Sequence, residues 1–152
     1  MLVLNLDQTT GVLYLDDVIF KYNAEADYLK VRDLLVNKLK DKLLYINGFH
    51  KYGAFDVIFC GNEFSVELVY KDGFLFSNSF IYNGLSAKKG FGATELDQNE
   101  DRKKLRKDFK KYFSKIPDKK LKNRDLYIYD WGEVRVSLSH RDYYVFLNFD
   151  YY

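Results

Sequence analysis

The chain has one cysteine, one proline and two histidines. It also has no apolar run near the roughly 18 residues that a membrane-crossing helix needs. Each scarcity excludes something. A lone Cys60 cannot close an internal disulfide or build a cysteine-rich zinc site. One proline and nine glycines in 152 residues argue against disorder and long linkers. The opening Met1-Leu-Val-Leu-Asn-Leu-Asp lacks the basic segment and long apolar stretch of a secretory signal, so a cytoplasmic location without membrane association is expected. His50, between Phe49 and Lys51 in the loop expected after a first helix, and His140, at a turn, have no carboxylate or cysteine at ligand spacing. No metal and no cofactor are therefore expected.

What is abundant is aromatic surface. Fourteen Tyr, 13 Phe and one Trp make 18% of the chain. Buried tyrosine hydroxyls need partners, so many of these rings must sit half-exposed on sheets or interfaces. Alternating segments predict strands at Leu2–Leu6, Val12–Leu15 and Val18–Tyr22, after a turn at Asp7-Gln-Thr-Thr-Gly11. Asn23 is placed to cap a helix reaching about Leu43, with Tyr28, Val31, Leu35, Leu39 and Leu43 on its apolar stripe. Three strands follow at Phe55–Cys60, Glu63–Tyr70 and Phe74–Tyr82, the last two joined through Asp72-Gly73. A second helix is expected from Asn99 to Ser114, burying Leu105, Phe109, Tyr112 and Phe113 and stopped by Pro117. Strands at Leu126–Asp130, Glu133–His140 and Tyr143–Tyr151 complete the pattern.

Sliding the chain by about 70 residues brings its halves into register. Glu63, Val66, Leu68, Asp72, Phe76 and Asn78 fall on Glu133, Val136, Leu138, Asp142, Phe146 and Asn148. The expected fold is a single α+β domain. It contains two degenerate units of one helix plus a three-stranded antiparallel sheet, residues 24–82 and 94–152, with an N-terminal hairpin at 1–22. Both helices would lie on one sheet face and leave the other open.

Little here carries catalysis. Cys60 precedes Gly61-Asn62 without a paired base. Gly90-Phe-Gly92-Ala-Thr94 lacks the third glycine and the lysine of a phosphate loop. Asp16 and Asp17, adjacent in a strand, would point to opposite faces, so a turn suits them better than a shared cation. Charge is the stronger signal. Residues 101–124 hold twelve Lys and Arg against three Asp, a net of +9, so the rest of a +2 chain carries 2 − 9 = −7. Such a segment is either a solvated helix face or a site for phosphates or an acidic protein.

The tandem helix-plus-sheet layout resembles that of bacterial β-lactamase inhibitory proteins. It is also similar to small immunity proteins of contact-dependent and type VI secretion toxin systems. The segments Tyr82-Asn-Gly-Leu-Ser, Phe91-Gly-Ala-Thr-Glu and Leu126-Tyr-Ile-Tyr-Asp-Trp-Gly-Glu-Val-Arg-Val carry that resemblance. A Leu-Gly-x-Pro helix end is replaced by Phe113-Ser-Lys-Ile-Pro117. The resemblance implies a non-enzymatic immunity protein whose partner is a cognate toxin, neutralised by occlusion. The expected partner surface is the open sheet face, with Trp131, Tyr127, Tyr129, Arg135, Glu133 and Tyr143 in the second half and Glu63 and Glu67 in the first. A small nucleic-acid-binding module using the Lys-rich segment 101–124 is the second reading, and catalysis through His50 or His140 a third.

Overall fold

The computed structural model describes residues 2–16, 18–20, 43–72, 74–84 and 89–152. The expected first helix, Asn23 to about Leu43, lies outside the described residues except for its last position. Leu43 belongs to a strand.

Among the described residues eleven strands form one sheet. They are β1 (Leu2–Leu6), β2 (Leu13–Leu15), β3 (Val18–Phe20), β4 (Leu43–Ile46), β5 (Phe49–Phe59), β6 (Asn62–Lys71), β7 (Phe74–Tyr82), β8 (Lys119–Lys120), β9 (Arg124–Tyr129), β10 (Gly132–Leu138) and β11 (Val145–Tyr151). Among the described residues one helix, α1 (Glu95–Phe113), lies between β7 and β8 in the chain. The sheet order is β3-β2-β1-β5-β6-β7-β11-β10-β9-β8, and β4 pairs with β5 off that path.

This corrects the two-unit α+β expectation: the described residues are mostly β, in a single curled sheet. Two observations overturn the layout. The two halves share one sheet, joined by a short β7–β11 seam where Phe80 opposes Leu147 and Ile81 opposes Phe146. The N-terminal strands are also part of that sheet, because β1 pairs with β5 in parallel at Leu2–Leu4 and Val57–Phe59. At 11 residues, β5 is long enough to share one edge between β4, opposite Phe49–Tyr52, and β1. His50 is therefore a strand residue, not a loop residue, and its ring lies 4.5 Å from that of Tyr45.

Alternation decides which side of each strand is buried. Phe64, Val66 and Leu68 of β6, and Val134, Val136 and Leu138 of β10, all face the core. Val145, Leu147 and Phe149 of β11 join them. Across this concave side lies α1, with Leu105 and Phe109 fully buried and Phe109 edge-on to Phe59 and Tyr127. Phe113 is half-buried, whereas Tyr112, expected on the same stripe, is 55% exposed. The helix starts four residues before the expected Asn99, because Thr94 and Asp97 form a reciprocal capping box. It ends at Ser114, whose left-handed backbone (φ 53°) caps the last turn ahead of Pro117.

The curl brings distant turns together. Trp131, between β9 and β10, donates its Nε1–H to the Gln8 carbonyl at 2.8 Å. Tyr129 reaches the Gln8 side chain and Tyr151 the Gly11 carbonyl. The β1–β2 turn thus meets the β9–β10 turn although four strands separate β1 from β10 in the sheet.

Candidate functional site

The expected partner residues divide between the two sides of the sheet. Tyr127 is 1% exposed and faces the core against Phe109. Tyr129 stacks on Trp131 with centroids 5.0 Å apart, and burial pushes its hydroxyl up to about 12. Trp131 also packs on Tyr151 and Gly11. These three side chains close the curl, so they are not the open-face anchors expected from the sequence. The reason is strand parity. Both sides of β9 are apolar, Leu126 and Ile128 against Tyr127 and Tyr129, and the tyrosine side is the one that α1 covers.

Glu133 and Arg135 do point outward from β10, as Glu63 and Glu67 do from β6, and each of these four is half-buried. Arg135 pairs with Asp150 of β11 at 3.2 Å, and Glu67 pairs with Lys51 of β5 at 3.1 Å. Ser65, Ile81, Phe146 and Ser137 lie opposite one another in a row across four strands. The outward side of β11 runs from Phe146 to Asn148 and Asp150, and Tyr144 just precedes the strand. From Tyr144 to Asp150 it spans about 20 Å, with apolar groups at one end and polar groups at the other.

The apolar end opens into a groove of about 700 Å³ lined by Ile81, Phe91, Tyr143, Tyr144 and Phe146, with Arg141 at its rim. Phe91 is fully exposed and Tyr143 38% exposed. Its frame is well tied. Gln98, buried near the start of α1, donates to the carbonyls of Ser139 and Tyr144 at 2.8 and 3.2 Å. Tyr143, held at φ 56°, donates its N–H to Ser139 O, and Gly90 donates to Tyr143 O at 3.3 Å. Left-handed backbone at Gly90 brings the chain against the Tyr144 ring, leaving Phe91 projecting.

The polar end is a second groove of about 380 Å³ where β7 and β11 part. There the ladder is replaced by side chains. Asn78 donates to Phe149 O at 3.0 Å and accepts from Phe149 N at 3.1 Å, while Asn148 donates to Asn78 O at 2.8 Å. Arg135 and Asp150 line this groove. Of the expected residues, Arg135 and Tyr143 therefore sit at opposite ends of one surface. Phe91, Arg141, Tyr144 and Phe146 were not singled out from sequence as partner residues. An aromatic between two glycines, Gly90-Phe-Gly92, was the available signal for Phe91.

Cys60 is buried in the β5–β6 turn, where burial and then the nearby Asp108 charge push its thiol far up. His140 is exposed. Among the described residues no three His, Cys, Asp or Glu gather as metal ligands, and no helix is long and apolar enough to cross a membrane. Comparison with known proteins returns no matching family model, no matching curated sequence and no matching solved structure.

Proposed function

We propose that this chain is an immunity protein: a binding protein, not an enzyme, that meets a cognate bacterial toxin in the cytoplasm and covers its active site or an essential surface. The observation that carries this reading is the outer side of β11. It offers a groove with exposed Phe91 and Tyr143 beside Arg141 at one end, and the polar groove of Arg135 and Asp150 at the other. Aromatic and arginine side chains in a rigid frame are the composition of interface hot spots. The Gln98 clamp and the Tyr143 turn pre-organise them, which lowers the ordering cost of binding. The reading rests on this surface and not on the two-unit layout, which is not the fold.

The test is co-purification with, and protection of cells from, the toxin-like product of an adjacent large reading frame. The comparison is wild type against Phe91→Ala, Tyr143→Ala and Arg135→Ala, each checked for folding. Central anchors cost at least about 2 kcal/mol on truncation, roughly a 30-fold loss of affinity. Unchanged affinity and full protection by all three folded variants would remove this face from consideration.

A further inference from the structure

The fold sorts the cations of the 101–124 segment by type and by direction. Arginines 102 and 106 turn inward and both grip Asp125, itself 1% exposed, with Arg102 Nε and Arg106 Nε each 3.0 Å from a carboxylate oxygen. Arg102 also donates to the carbonyls of Leu121, Lys122 and Arg124, fixing the β8–β9 corner to the helix. Lys104 pairs with Asp108 and Lys115 with Asp118. What remains points to solvent. Lys103, Lys107, Lys110 and Lys111 form an exposed stripe on α1, and Lys119, Lys120, Lys122 and Arg124 form the exposed corner beside it. None of these eight has a carboxylate partner among the described residues. Lys103 and Lys107 directly follow the two arginines that reach the corner, so stripe and corner make one surface. Glu100 marks its N-terminal end.

A merely solvated face does not require one sign of charge, and the rest of the chain carries −7. The helix dipole favours cations only in the last turn, at Lys110 and Lys111, and not at Lys103 or along β8. We propose that the lysine stripe of α1 and the β8–β9 corner bind the phosphate backbone of a nucleic acid, independently of the toxin-binding face. The spacing favours this over an acidic protein surface. Lys103, Lys107 and Lys111 recur every four residues, about 6 Å along the axis, matching a target whose charge is continuous along its length.

The experiment is a fluorescence-anisotropy titration of the full chain against a short single-stranded RNA, a short DNA duplex and polyglutamate at several salt concentrations. Affinity for the nucleic acids should fall about a thousandfold or more between roughly 50 and 200 mM salt. Lys103→Glu/Lys107→Glu/Lys111→Glu should abolish binding. Lys119→Gln/Lys120→Gln/Lys122→Gln, which leaves the helix untouched, should weaken it and lower the log–log salt slope by about one for each phosphate-binding lysine removed. Phe91→Ala should bind nucleic acid as wild type does, which separates this surface from the toxin face. No binding at low salt, equal binding to polyglutamate, or wild-type binding by both folded lysine variants would overturn the proposal.

Discussion

Trp131 shows how a residue that looks like an interface anchor can instead be structural. Its indole lies so close to Gly11 that a Cβ there would come within 2.4 Å of the ring, and Gly11 is held at φ 77°. Stacking on Tyr129, contact with Tyr151 and the hydrogen bond to Gln8 make it the joint between the two ends of the curl. Gly11→Ala should therefore cost more than the roughly 1–2 kcal/mol of left-handed strain alone. Trp131→Ala should cost roughly 3 kcal/mol, the low end for large aromatic truncations, since the ring is half-buried. Urea-unfolding midpoints check both. Near-neutral midpoints would mean that the turns do not meet.

At the scale of elements, α1 is held by a buried charge cluster as well as by Leu105 and Phe109. Removing Asp125 would leave two guanidiniums facing a buried site without their carboxylate, so Asp125→Ala should destabilise by about 3–5 kcal/mol. Calorimetric melting reads this directly, and a loss below about 1 kcal/mol would contradict the clamp. Acid should loosen the same helix. Burial raises the Asp108 carboxyl, but hydrogen bonds from Lys104 and Asn62 outweigh that and hold it below its ordinary value. A carboxyl lowered on folding contributes stability above its unfolded pKa, near 4, and loses it as pH falls through the folded value. Melting temperature should therefore drop as pH falls below about 4, and Asp108→Asn should flatten that drop. An unchanged profile in the variant would remove Asp108 as a source of acid sensitivity.

Elements were legible where local chemistry was decisive. The strict alternation of Glu63–Tyr70 pointed to β6, and the helical spacing of Leu105 and Phe109 to α1 and its buried side. Two further local signals were there to be read. Thr94 and Asp97 mark the true helix start, and Asn47-Gly48, both at positive φ, turn β4 into β5. The side of β9 that is buried could not be read, since Leu126–Tyr129 is apolar on both sides and only the position of α1 decides.

For the whole molecule, the arrangement of strands was the part sequence did not show. Matching Phe64, Val66 and Leu68 to Val134, Val136 and Leu138 placed each set on the core side, but alternation is silent about which strand lies beside which. The parallel contact of β1 with β5 and the β7–β11 seam are long-range pairings without a local signature. They turn the expected pair of units into one curled sheet, with a concave side filled by α1 and a convex side carrying the two grooves. The proposed binding of a toxin to that convex side can be tested by hydrogen–deuterium exchange on the chain, alone and with the candidate toxin. Added protection is expected at residues 89–93, 139–146 and 148–150, with little change along Lys103–Lys111. Protection confined to α1 and the β8–β9 corner, with the grooves unchanged, would contradict a toxin-binding convex side.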